Sequence, residues 1–335
     1  MKIGRNQQCP CMSGKKFKRC CMDDPKHSST QLNNSIHRKY MSEFALHTFS
    51  SYASIAYPNL LDTINVSEAS YHIYMINKIK RLSFVEDSIK VFKNHIELQI
   101  RHGITSVEKI TTLQIPRHKM TVDFVFEGNK TLFMKDGHGG GVKADILYVY
   151  SAFSTEPLDC EVLYIGQSYG KEGNRDALTR LRSHETLQKI MADVSHEDIN
   201  SEIAITVWEF TPRLITSFDG RNGFLVSTEE DEKHLKKVLS APPLYLDSQI
   251  VNVTEAALIN YYKPKYNEKF KNNFPDIGHK GYKFYYDYDY NAILVELDQS
   301  AININMHSDY VDYHDYSHIK YLLNTEEKRK SMFTL

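Results

Sequence analysis

The spacing of hydrophobic and polar positions changes along the 335-residue chain, and each change marks a boundary. From Ser35 to Arg101 the pattern is helical. Met41, Phe44, Ala45, Thr48, Phe49 and Tyr52 recur at i, i+3 and i+4, and a second set runs from Ile79, Leu82 and Phe84 into Ile89, Phe92, Ile96 and Ile100. This predicts two or three amphipathic helices in a module over 35–115. From about residue 120 the period shortens to two. Val122, Phe124 and Phe126 alternate with polar residues, Ile146–Tyr150 is β-prone, and a second strand follows at Val162–Gly166. Helices are expected over 174–191, 229–239 and 254–262, the last opening on Thr254 as N-cap and stopping before Pro264, with a strand over 203–210. The polar stretch Asp23–Asn34 reads as a linker, and Gly137–Gly141 as a turn, since no Lys-Ser/Thr follows to make it a phosphate cradle.

Composition adds constraints. The 41 Lys+Arg balance 42 Asp+Glu to a net charge of -1, with 41% hydrophobic and 25% charged residues. That is the balance of a globular protein with one or two packed cores, and it excludes a disordered chain. No apolar run approaches the ~18 residues of a membrane span, so no membrane partner is expected. The first 21 residues hold no apolar leader segment, which points to the cytoplasm and to cysteines kept as thiols or metal ligands.

Four of the five cysteines fall within those 21 residues, as Cys9-x-Cys11 and Cys20-Cys21. Zinc holds thiolates tetrahedrally, and two short chelating pairs joined by a turn at Met12-Ser13-Gly14 provide such a site. Lys15, Lys16, Lys18 and Arg19 would offset its negative charge, and metal binding would supply most of the folding free energy of so short a segment. The run Gly4-Arg5-Asn6, Cys9-Pro10-Cys11, Ser13-Gly14-Lys15-Lys16-Phe17-Lys18-Arg19-Cys20-Cys21 resembles the SEC-C zinc motif. The resemblance implies structural Zn2+ on Cys9, Cys11, Cys20 and Cys21, with His27 the alternative fourth ligand, and contact with DNA or a partner protein.

Further along, residues 145–267 hold two tyrosine-bearing strands, Arg180 and His184 four apart on one helix face, Glu255, and Pro264-Lys265-Tyr266-Asn267. These supply a proton acceptor, a cation, a metal carboxylate and an orienting amide, the parts a phosphodiesterase needs. Leu163-Tyr164-Ile165-Gly166, Arg180-Leu181-Arg182-Ser183-His184 and the segment Glu255–Asn267 resemble the GIY-YIG nuclease family. The first signature strand lacks its glycine, so Tyr148 or Tyr150 takes the tyrosine position. The resemblance implies an α+β fold, a small antiparallel sheet flanked by helices, and Mg2+-dependent endonuclease activity on DNA. In that scheme Glu255 binds Mg2+, Tyr148 or Tyr164 accepts a proton, Arg180 binds phosphoryl oxygens, His184 assists and Asn267 orients.

Local charge agrees better with a polyanion than the net charge does. Residues 1–30 carry a net +5 and residues 260–283 a net +4, whereas 284–319 hold seven Asp/Glu and no Lys or Arg. The expected organisation is a zinc motif at 1–27, a helical module at 35–115, a nuclease-like domain at 120–275 and an acidic, Tyr-rich extension at 276–335. DNA is the expected partner, with RNA an alternative. The competing functions are a non-catalytic nucleic-acid binder on the same fold, or a scaffold that docks partners through its zinc.

Overall fold

The computed structural model describes residues 5–7, 16–19, 38–64, 69–104, 109–118, 121–138, 140–169, 181, 185–218, 226–243, 245–323 and 331–333. The fold is mixed α+β. Strand β1 (Ser42–Ala56) and β2 (Ile73–Lys80) precede seven short strands: β3 (Leu82–Phe84), β4 (Lys90–Val91), β5 (His95–His102), β6 (Lys109–Pro116), β7 (Thr121–Glu127), β8 (Thr131–Asp136) and β9 (Gly141–Asp145). Then follow α1 (Ile146–Phe153), β10 (Leu158–Gln167), α2 (Glu185–Glu197), β11 (Ser201–Phe218), α3 (Thr228–Leu239) and α4 (Ser248–Tyr262). The chain closes with α5 (Lys283–Asp287), β12 (Ala292–Asp298), β13 (Ile304–His307) and β14 (Tyr316–Leu322).

Seven strands form the principal sheet in the order β13-β10-β2-β11-β1-β12-β14. Within it β2 is antiparallel to both β10 and β11. Strands β3 to β9 are an insertion between β2 and β10 that builds two smaller sheets. Side chains alternate across β2 and sort into two layers. Ile73 and Met75 join Trp208 and the apolar residues of α4 on one face, while Tyr74 and Ile76 pack with Leu187, Ile190 and Val194 of α2 on the other.

The helical module expected over 35–115 is instead strand in its described elements, apart from a 3-10 turn at Pro58–Thr63. Residues 42–48 of β1 are buried without interruption, because β11 and β12 flank the strand and both faces are covered. Such a strand shows no period-two alternation, so chance i, i+3 and i+4 matches read as a helix. In β5 the alternation is present, with Ile96, Leu98 and Ile100 buried on one side. Ile146–Tyr150 is also corrected, from strand to helix. The Asp145 carboxylate accepts a hydrogen bond from the Leu147 amide at 2.8 Å and caps α1, whose Ile146, Leu147, Val149 and Tyr150 are buried. Residues 292–322 are no appendage: β12 runs parallel to β1 with Ala45 opposite Ala292, and β13 runs parallel to β10.

Candidate active site

Strand β10 carries Leu163-Tyr164-Ile165-Gly166, and its antiparallel neighbour β2 sets Tyr74 opposite Gly166. The Tyr74 and Tyr164 rings lie 6.2 Å apart between centroids, tilted by 30°. A Cβ on Gly166 would stand 2.5 Å from the Tyr74 hydroxyl and 2.9 Å from a Tyr164 ring carbon. Glycine is therefore required where the two rings converge. Tyr74 is fully buried and Tyr164 half-buried, so Tyr164 is the more accessible of the pair.

Strand β13 pairs only with residues 158–161 of β10, and beyond that point another segment occupies the edge. The Tyr266 amide donates to the Leu163 carbonyl at 3.0 Å. One residue on, the Asn267 side chain accepts from the Ile165 amide at 2.9 Å and donates to the Ile165 carbonyl at 2.8 Å. Buried Asn267 thus stands in for a strand residue and satisfies both backbone groups between the tyrosine and the glycine. Tyr266 reaches the tyrosine-bearing face, where its hydroxyl donates to Asp193 of α2 at 2.8 Å. Burial, reinforced by Asp193, raises the Tyr266 pKa. Beside it Lys265 pairs with Glu197 at 3.0 Å, a bond that raises the lysine's pKa.

Helix α4 leads into this segment, ending on Lys263 in the left-handed conformation (φ 48°) ahead of Pro264. Its N-cap is Asp247, whose carboxylate accepts from the Ile250 amide. The expected cap, Thr254, is a buried mid-helix residue that donates to the Ile250 carbonyl. Glu255 consequently lies in the body of α4, half-buried. The Asn252 side chain, one turn earlier, accepts from Gln167 of β10 at 3.1 Å. Residues three apart share a helix side, so Glu255 follows one turn along α4 from the Asn252–Gln167 contact. The tyrosine pair and α4 approach β10 from opposite faces.

The expected residues therefore divide. Tyr164 and Asn267 lie on or at the edge of β10, whereas Glu255 belongs to α4, across the strand from the tyrosine pair. Tyr148 is elsewhere: it projects from α1, 62% exposed, over a separate cavity of about 610 Å3 shared with Met134 and Val142. Tyr150 is buried against His102. The tyrosine that meets Tyr164 is Tyr74, which sequence reasoning missed. Its signal was His72-Ile73-Tyr74 at the head of an alternating run, but the insertion of 81–157 separates it from β10. Arg180 and His184 lie outside the described residues. Leu181 between them is buried in the same cluster as Tyr74 and Leu163.

Toward the N-terminus, Phe17 donates its amide to the Gln7 carbonyl at 2.8 Å and Lys18 donates to Arg5 at 3.0 Å. Cys9, Cys11, Cys20, Cys21 and His27 lie outside the described residues. Among the described residues no three metal-ligating side chains form a group, and no helix is long and apolar enough to cross a membrane.

Residues 5–23 match the SEC-C motif. No curated protein and no solved structure matches the chain.

Proposed function

We propose that the chain is a Mg2+-dependent endonuclease of the GIY-YIG type that hydrolyses DNA phosphodiester bonds, with an N-terminal zinc module for docking on DNA or a partner protein. The observation that carries this reading is the convergence of Tyr74 and Tyr164 over Gly166, on a strand whose edge is held by Asn267. The sheet is larger and more mixed than the small antiparallel one expected, seven strands with two parallel pairs; within it the antiparallel trio β10-β2-β11, with helices on both faces, supports this reading.

In this scheme Tyr164, the more exposed ring, accepts the proton of the attacking water, and Tyr74 positions it. A free tyrosine, with pKa near ~10, is a weak base, so a neighbouring cation must favour its ionised form. Arg180 fills that role and holds phosphoryl oxygens in its forked guanidinium, and His184 assists the proton's movement. Leu181, anchored in the tyrosine-side cluster, supports assigning its neighbours here. Glu255 would hold the metal. A partly exposed carboxylate fits a hard cation that keeps most of its water. Bound there, Mg2+ supplies Lewis-acid stabilisation of the phosphate. Exposed Lys269 and Lys280, without carboxylate partners among the described residues, offer contacts to the nucleic-acid backbone.

The complete burial of Tyr74, and the position of Glu255 on α4 across β10 from the tyrosine pair, favour a second reading, a nucleic-acid binder on this fold that does not cut. A panel of single-stranded, duplex and branched DNA and RNA separates the two. Product in Mg2+ and none in EDTA supports the nuclease, whereas salt-dependent binding without product supports the binder. For the zinc module, the bonds from Phe17 and Lys18 to Gln7 and Arg5 fold the segment back on itself, which would bring its two cysteine pairs together. Partner or DNA capture that survives Cys9→Ser would overturn the docking role.

A further inference from the structure

A second site lies in the insertion. Arg81, directly after β2, Arg101 on β5, and Lys130 in the turn between β7 and β8 line a cavity of about 600 Å3. Two of these cations are already engaged. Lys130 donates to both oxygens of Glu202 at 2.7 and 2.6 Å, and to the Tyr57 hydroxyl at 2.7 Å. Arg81 is held by the Ile199 and Ser201 carbonyls at 3.1 and 3.2 Å, with Glu202 at 3.9 Å.

Arg101 is different. Its Nε is shielded from water and has no hydrogen-bond partner, and among the described residues no carboxylate comes within 4.0 Å of it. The residue as a whole is only partly buried and lines the cavity, so an anionic acceptor there would meet the outer nitrogens of a guanidinium that lacks a carboxylate partner among the described residues. Glu86, the remaining charged residue of the lining, is exposed at the rim. Another part of the wall is flat and aromatic: Phe84 and Phe126 stack with centroids 4.6 Å apart and planes 10° apart, and Phe126 stays partly accessible. Gly128, at φ +67°, leaves more than 4 Å of open space where its Cβ would be.

We propose that this cavity binds a mononucleotide, its phosphate on Arg101 and Arg81 and its base against the Phe84–Phe126 stack. The forked guanidinium matches phosphate oxygens, the aromatic wall matches a planar base, and the volume falls within the ~300–1,000 Å3 of small-ligand pockets. The ring of cations disfavours a metal ion.

Isothermal titration calorimetry of the full chain tests this, with AMP, GMP, CMP and UMP, their deoxy forms, adenosine and inorganic phosphate as probes. At least one mononucleotide should bind about tenfold or more tightly than phosphate or nucleoside alone, a difference of about 1.4 kcal/mol. Arg101→Gln should weaken that binding at least tenfold. Gly128→Asn should do the same by filling the space, and asparagine tolerates the left-handed backbone there, so this variant decides the matter if Arg101→Gln fails to fold. No heat with any mononucleotide at millimolar concentration, equal binding of phosphate, or wild-type affinity in Gly128→Asn would each overturn the proposal.

Discussion

Gly166 and Asn267 are the residues on which the site's geometry turns. Adding one methyl group at Gly166 drives it into the Tyr74 ring, which β10, β2 and α2 enclose. Gly166→Ala should therefore cost about 1–3 kcal/mol, as overpacking does. Trp208, the chain's single tryptophan, is fully buried, so its fluorescence reports that loss in a urea titration. Asn267→Ala strands the Ile165 amide and carbonyl and should cost about 2 kcal/mol by the same measurement. Asn267→Asp should restore only part of this, because a carboxylate accepts from the amide but cannot donate to the carbonyl. The sequence exposed these residues well, because short motifs such as Tyr164-Ile165-Gly166 and Lys265-Tyr266-Asn267 keep their spacing whatever is inserted elsewhere. It concealed Tyr74, since pairing between β2 and β10 is a long-range property that no local pattern encodes.

At the scale of elements, legibility followed burial. Helix α3 was readable because it is amphipathic, with a capping box between Ser227 and Glu230. The tract Val162–Gly166 was readable as a strand because turn residues bound it. Strand β1 was not, being covered on both faces, and α1 was not, because burial of its apolar residues overrode the β-propensity of Ile146–Tyr150. The parallel pair β10–β13 supports a pH prediction. His307 meets Asp159 at 3.3 Å, and that hydrogen bond raises the histidine's pKa. The stabilisation is complete below the unfolded value of about 6.5 and is lost as pH rises through the higher folded value. Asp159→Asn should lower stability at about pH 6, and the gap should close by about pH 9. Solvent screening at this partly exposed pair keeps the effect to about 0.5 kcal/mol. A gap that widened with pH would contradict the pairing.

Across the whole molecule the charge average misled most. The net -1 sums a basic N-terminal segment, a basic run beside Asn267 and an acidic tract whose strands belong to the principal sheet. The four-cysteine reading predicts about one zinc per chain by elemental analysis, lost in Cys9→Ser. The Trp208 unfolding transition should not move in that variant, because the segment carries its own metal-dependent fold. A shifted transition would show that the zinc supports the main body instead.

The most direct test of the nuclease assignment is the rate of supercoiled-plasmid nicking in Mg2+ by wild type, Glu255→Ala, Tyr164→Phe and Tyr148→Phe. The site on β10 predicts product with wild type and Tyr148→Phe, a fall of about 100-fold or more with Tyr164→Phe, and none with Glu255→Ala. Equal rates in wild type and Glu255→Ala, whether both cut or neither does, would contradict it.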